Sequence, residues 1–404
     1  MHKWKMVKLE DVCGIITDGT HQTPVYCEMS KGYPFLSSKN VTTGKIDWEN
    51  IKYIPKELHD ELYKRLAPRL DDILLAKNGT TGIAALVDRE CIFDIYVSLA
   101  LLRPSQSVVP SYLLCAINSP FAKRQFDASL KGIGVPNLHL KEIRNTIIPL
   151  PPKLNQQKIA NVLGCIITLI EKRRIQISKL DLFVKSQFIK MFGNPVTNPM
   201  GWKCADLKDL SIRIMSGNTP KGGSQVYVKN GIMFFRSQNV WRNRIELDDI
   251  AYIDESTHAK MSQSSLKNKD ILITKTGRIN TENSSLGRAA LFLGEDDSAN
   301  INGHVYLVRL KKDVIHEFVL YIMTMDVYRE YIRNVCVGGI DKRQINKEHL
   351  EHFPIIMPPF DIQTQFTDVV HAVEKIKSEI QHGLDKLDLL YKSLMQKYFM
   401  GELE

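Results

Sequence analysis

Two loops with the same sequence grammar hold the residues best suited to chemistry in this 404-residue chain. Asp72-Ile73-Leu74-Leu75 runs into Ala76-Lys77-Asn78-Gly79-Thr80, and Asp270-Ile271-Leu272-Ile273 runs into Thr274-Lys275-Thr276-Gly277-Arg278. A lysine, a small polar residue and a glycine just after a strand can offer an ammonium and backbone N–H groups to a phosphate. In one copy an ordinary glycine turn with an incidental lysine would look the same; the alignment of Lys77 with Lys275 favours the anion. A second pair, Ser37-Ser38-Lys39-Asn40 and Arg236-Ser237-Gln238-Asn239, sets amide and basic side chains at matching places. Across the major groove Asn and Gln can bind adenine bidentately, and Arg or Lys can bind guanine. Asn40 and Asn239 could equally hold a turn through local backbone. The residues that differ between copies, Ser37 against Arg236 and Lys39 against Gln238, are therefore the stronger candidates for reading sequence. Thr20, His21, Asn78, Thr80, Asn137, Thr276, Arg278, Arg343 and Gln344 complete the candidate DNA-contacting set.

Other chemistry is not signalled. Neither a G-x-G-x-x-G nor a Walker-type loop occurs. The eleven histidines show no H-E-x-x-H or H-x-x-x-H spacing, and the seven cysteines are never spaced C-x-x-C. Met357-Pro358-Pro359-Phe360 brushes against the polar-Pro-Pro-aromatic loop of amino-methyltransferases, but that loop needs a polar first residue to hold the amine. Leu150-Pro151-Pro152-Lys153 departs further. A metal-dependent nuclease needs several converging carboxylates, which pairs such as Asp206-x-Lys208 do not supply. The expectation is a binding protein without a catalytic site, metal or cofactor of its own.

The elements that must position these residues are also written twice. "WKMVKLEDV" at Trp4 returns as "WKCADLKDL" at Trp202, and "FLSSKNV" at Phe35 returns as "FFRSQNV" at Phe234. A period near half the chain is far longer than the roughly 20–50 residues of a solenoid module; it is a duplicated domain. Residues 1–150 and 196–357 form two similar α+β globules. Within them "IAALV" (83–87), "VSLALL" (97–102), "GRAALFL" (287–293) and "HVYLVRL" (304–310) are predicted strands. "SYLLCAINSPFAKRQF" (111–126) is predicted helical with a break at Pro120, and "HEFVLYIMTMDVYREYI" (316–332) as one helix.

A Pro-Pro pair closes each globule, at Pro151-Pro152 and Pro358-Pro359, and opens a long helix, 151–195 or 358–404. Spacing 4-3 picks out Ile159, Leu163, Ile166, Ile170, Arg173, Ile177, Leu180, Val184, Gln187 and Met191. Shifted by 207, it picks out Phe366, Val370, Val373, Lys377, Ile380, Leu384, Leu387, Tyr391, Leu394 and Tyr398. A seam of period 3.5 over four heptads is coiled-coil patterning. Residues 153–190 carry a net charge of +6 and residues 361–404 a net of −3, so the two helices favour each other over a like-charged copy. This predicts an intramolecular antiparallel coil, with a pseudo-twofold relation between the halves and the globules near its opposite ends. Lys377 and Arg173 fall on the seam and are expected to snorkel outward.

The formal charge of +9 and pI near 9.0 suit a polyanionic partner. Unpaired cysteine spacing fits a reducing compartment, and "MHKWKMVKLEDV" lacks the apolar core of a secretory leader. The expected location is the cytoplasm, with no membrane contact.

On these motifs the chain resembles the specificity subunit of type I restriction–modification systems. The W-K-x-x-x-L-x-D starts, the D-I-L…K…G strand-and-loop, the Pro-Pro-x-x-x-Q helix starts (151–156, 358–363) and the coils ending near "MFG" occur in the family's order over the whole chain. It departs at Asn155-Gln156 and Ile362-Gln363, where the family usually has Glu-Gln. The resemblance implies a non-catalytic reader of double-stranded DNA, each globule recognising half of a bipartite site and the coil setting the gap. It implies two modification subunits that bind S-adenosylmethionine, docked on the helices, and two restriction subunits using ATP and Mg. Two alternatives remain at this point. One is a coiled-coil scaffold joining two protein-binding modules; the other is the recognition fragment of a methyltransferase or nuclease.

Overall fold

Runs of Ile, Leu and Ala on either side of each loop lysine pair into the same small sheet twice. The computed structural model describes residues 4–130, 136–279, 281, 283–339 and 341–400. Its contacts divide into two units, Met1–Ile177 with Glu379–Glu404, and Ser178–Ser378. In the first unit a four-stranded antiparallel sheet has the order Cys13–Asp18, Leu99–Pro104, Ile73–Ala76, Ala84–Leu86. Side chains alternate across a strand, and here both faces are covered. Ile73 and Leu75 pack with Tyr112, Leu113 and Phe126 on helices, whereas Leu74 and Ala76 pack with Leu36, Val41 and Phe93. Phe35 and Leu36 lie on a second sheet, ordered Lys52–Pro55, Gly32–Leu36, Asp94–Ile95, whose last two strands run parallel.

The second unit repeats this with Ser211–Ser216, Val305–Leu310, Ile271–Thr274 and Ala289–Leu291, and with Ala251–Ile253, Ile232–Phe235 and Ala299–Ile301. Ile271 and Ile273 face Phe318 and Tyr328, and Leu272 faces Phe235 and Phe292. The aspartate of each D-I-L motif closes the strand on its neighbour. Asp72 accepts two bonds from Arg103, at 2.8 and 2.7 Å. Asp270 accepts two from Arg309, at 2.9 and 2.7 Å. Gly19 and Gly217 sit where a Cβ would come within 1.9 Å of the Ile95 carbonyl oxygen and 2.1 Å of that of Ile301. Only glycine lets the chain pass there.

The break at Pro120 occurs, with helices Pro110–Ile117 and Pro120–Ser129. The predicted single helix over 316–332 is corrected to two, His316–Thr324 and Asp326–Val335, with Met325 extended between them. Thr324 Oγ1 bonds the carbonyls of Leu320 and Tyr321, and packing imposes on this unbroken sequence the corner that proline helps to make in the other copy.

The long helices are Lys153–Phe192 and Phe360–Met400. Each is pinned at its start by the glutamine of Pro-Pro-x-x-x-Q. Gln156 Nε2 donates to the Pro151 carbonyl and Gln363 Nε2 to that of Pro358, both at 2.8 Å. In the first unit Ile159 and Leu163 cluster with Met395 and Phe399, while Ile166 and Ile170 cluster with Leu384, Leu387 and Tyr391. Ascending residues on one helix meet descending residues on the other, so the pair is antiparallel within one chain. In the second unit Val184 clusters with Val373, and Phe188 lies 5.3 Å from Phe366. Toward the end of each helix the seam moves by one residue. Phe188 and Phe192 are fully buried in place of Gln187 and Met191, and Met395 and Phe399 in place of Leu394 and Tyr398. A 3.6-residue helix drifts about 20° per heptad against a 3.5 repeat, and the globule's core accepts the drifted face. Lys377 does not simply snorkel: its ammonium bonds Asp181 at 2.7 Å and Glu374 at 2.8 Å. Arg173 is exposed and bonds only Gln176.

Candidate nucleic-acid interface

Each unit presents a one-turn 3-10 helix after a buried strand, Ser38–Val41 in the first and Ser237–Asn239 in the second. Asn40 and Asn239, both candidates for base reading, hold this turn. Asn40 is buried; its Oδ1 accepts the Ser37 N–H at 2.9 Å and its Nδ2 donates to the Asn50 carbonyl at 3.0 Å. Asn239 repeats the first bond with the Arg236 N–H at 2.9 Å, and its Nδ2 donates to the Glu246 and Asp249 carbonyls. A buried amide tied in this way holds the turn's main chain in place. Lys39 and Gln238 are exposed beside it. Gln238 Nε2 bonds the Asp249 carboxylate, which Arg236 pairs with at 3.1 Å. The Gln238 amide and the Arg236 guanidinium hold the Asp249 carboxyl below the usual carboxylate range.

The two loop lysines differ. Lys77 is buried, and its ammonium lies 2.6 Å from Asp18 Oδ2. That tie occupies the ammonium that the sequence offered to a phosphate. Lys275 is half-buried over the Tyr306 ring at 5.6 Å from the centroid, with no carboxylate within ion-pair distance among the described residues. The cause lies in the neighbouring strand: Asp18 pairs with Ala100, and the matching position facing Tyr306 is Ser216.

Several candidates distant in sequence come together. Thr276, Gly277 and Arg278 pair antiparallel with Gln344, Arg343 and Lys342 in a three-stranded sheet completed by Val337–Gly338. The first unit makes a reduced version, in which Asn78 bridges Asn137 and Leu138 donates its N–H to the Lys77 carbonyl at 2.8 Å. Thr80, Arg278 and Gln344 are exposed, and Arg278 pairs with exposed Asp341 at 3.3 Å. Arg343 is half-buried and donates to the Arg333 carbonyl. The amide oxygens of Asn78 and Asn137 are buried without a hydrogen-bonding partner among the described residues. Thr20 donates its N–H to the Ile95 carbonyl, and exposed His21 stands 3.5 Å from Asp18.

Sequence reading missed a group of arginines in the second unit. Trp241, Arg242 and Arg244 follow the Asn239 turn, and Arg288 ends the loop that starts at Lys275. The Arg288 guanidinium stacks 3.8 Å from the centre of Trp241. The available signal was "WRNR" standing where the first copy has Thr42-Thr43-Gly44-Lys45. Among the described residues no group of three or more His, Cys, Asp or Glu is placed to hold a metal ion, and no helix is long and apolar enough to cross a membrane.

Two similar α+β units carrying polar loops and joined by an antiparallel helix pair define a duplicated recognition protein. The model of the type I restriction modification DNA specificity domain matches twice, at residues 1–179 and 199–387, and the chain belongs to that family. It is 21% identical to the type I restriction enzyme StySPI specificity subunit of Salmonella potsdam, over 92% of this chain and 82% of that protein. It is 19% identical to the EcoKI specificity subunit of Escherichia coli strain K12, with the same coverage. The crystal structure of the type I restriction-modification S subunit from M. genitalium superposes with a TM-score of 0.59 at 13% identity, covering 98% of this chain and 96% of that one.

Proposed function

We propose that this chain is the specificity subunit of a type I restriction–modification complex, reading a bipartite site in double-stranded DNA with one unit per half-site. The paired helices set the spacer and dock two modification subunits that supply S-adenosylmethionine chemistry, joined by two restriction subunits using ATP and Mg. The chain itself contributes recognition and no catalysis, and acts in the cytoplasm. One observation carries this reading: the same turn is built twice around a buried asparagine, while the side chains it displays differ, Ser37 and Lys39 against Arg236 and Gln238. Two copies of one scaffold with different displayed groups suit a target with two different parts. The scaffold alternative predicts no salt-dependent DNA affinity.

Replacing residues 1–150 by the equivalent region of a related specificity subunit tests this. Each misread base pair costs about 1–3 kcal/mol, roughly additively at separated positions. Methylation mapping in a host carrying the cognate modification subunit should show one half of the motif changed, with the other half and the spacer kept. A rewritten motif on both sides would refute independent reading.

A further inference from the structure

The arginines of the second unit make a site that the first unit lacks. A cleft of about 480 Å³ is lined by Trp241, Arg242, Arg244, Asn283, Arg288 and Asp326, among others. Three guanidiniums line it with one carboxylate, Asp326, and Arg244 is also paired with Glu246 at 2.7 Å, just outside the lining. Asp326 is shared, pairing with Arg242 at 3.2 Å and with Lys185 at 3.3 Å, so Arg242 can swing to a ligand while Lys185 keeps the carboxylate company. Arg288 is 8% exposed, and among the described residues its guanidinium donates to main-chain carbonyls alone, those of Ser284 at 3.1 Å and of Asn283. Behind it Arg329, 4% exposed, reaches toward the Gly287 and Ser284 carbonyls at 3.4 and 3.5 Å, and its Nε has no partner. Neither Arg288 nor Arg329 has a carboxylate within ion-pair distance among the described residues.

Burying guanidiniums without counter-charge is costly, and the titration behaviour agrees. Burial, then Arg242 and Arg244, push Arg288 below the ordinary arginine value. Burial, then Arg242, Arg333 and Arg288, push Arg329 down to about 10. The unspent positive charge calls for an anion, and forked guanidiniums match the oxygens of a phosphate. The cleft also joins the two segments that carry the reading candidates. Trp241 Nε1 donates to the Gln238 carbonyl, and the Asn243 N–H donates to that of Ala289, which follows Arg288. In the first unit the register places Thr43 where Arg242 stands, and Ile83, before Ala84, where Arg288 stands.

We infer that this cleft binds one backbone phosphate of the DNA, giving the second unit a phosphate anchor with no equivalent in the first. The inference rests on the DNA-reading function proposed above. Its test uses the full chain, a random-sequence 30-base-pair duplex followed by fluorescence anisotropy across a salt series, and inorganic phosphate followed by calorimetry. Arg242→Gln removes the outer guanidinium without touching the buried ones, and Arg288→Lys keeps charge while losing the fork. Losing one phosphate contact should lower the slope of log affinity against log salt by about 0.9, which at 0.1 M salt is roughly an 8-fold loss. We expect that loss in Arg242→Gln, with melting temperature unchanged, and weakened phosphate binding in both variants. Folded variants that bind the duplex with wild-type affinity and slope overturn the inference, including the case where only their binding of free phosphate is lost. A wild-type chain that binds phosphate but no duplex would instead sink the DNA-reading function itself.

Discussion

Lys77 and Lys275 stand at the same place in two copies of one fold, and replacing each by alanine should give opposite phenotypes. Removing the Lys77 ammonium strands Asp18, whose side chain is 12% exposed and whose other neighbour of this kind is the His21 ring at 3.5 Å. Breaking a buried ion pair from one side costs about 3–5 kcal/mol; the edge exposure of Asp18 places this case near the lower figure, about 3 kcal/mol. At 2–4 °C per kcal/mol for a unit of 150–250 residues, Lys77→Ala should lower the first unit's melting by about 6–12 °C. Pairing it with Asp18→Asn should recover most of the loss, since the stranded carboxylate is then gone. Lys275→Ala removes only a cation over a ring, about 0.5–1 kcal/mol, and should leave melting nearly unchanged while lowering the salt slope of duplex binding by about 0.9. Calorimetric melting and anisotropy titrations on the same four proteins separate the outcomes. If Lys77→Ala melted like wild type and lost a unit of salt slope, the buried pair would be wrong and both lysines would face DNA.

Asn239→Ala should destabilise the second unit by about 2 kcal/mol, because the Arg236 N–H and the Glu246 carbonyl lose their partner at about 1 kcal/mol each while the Asp249 carbonyl keeps the Arg236 guanidinium; denaturant unfolding should show this, and the methylated motif should stay the same. Lys377→Leu should stabilise the helix pair by up to about 1 kcal/mol, since Asp181 and Glu374 are each 59% exposed and can rehydrate while leucine fills a half-buried seam; a lower thermal midpoint would count against this.

Periodic features were legible in the sequence. The helix seam, the matched strands and the Pro120 corner follow from side-chain spacing and proline's fixed φ, both local properties. What escaped notice depends on partners far along the chain. Lys77 is taken by Asp18, 59 residues away, and nothing near Lys77 distinguishes it from Lys275. The strand Thr276–Arg278 exists because Lys342–Gln344 lies beside it; taken alone it is three residues after a turn. Met325 bends a sequence with no breaker because both flanking helices bury apolar faces in one core. The asparagine turns were half-legible: both roles were open in the sequence, and the turn-holding bonds appear only once Asn50, Glu246 and Asp249 are folded beside them.

The two turns have an evolutionary consequence. Apart from the bond that Ser37 Oγ donates to Asn40 Oδ1 at 3.3 Å, the bonds that Asn40 and Asn239 make to hold them run to main-chain atoms, which every amino acid supplies. Where the displayed side chain takes no part in those bonds, as at Lys39, a point change leaves the turn's own support intact. At such a position what the turn displays can change while what holds it stays the same.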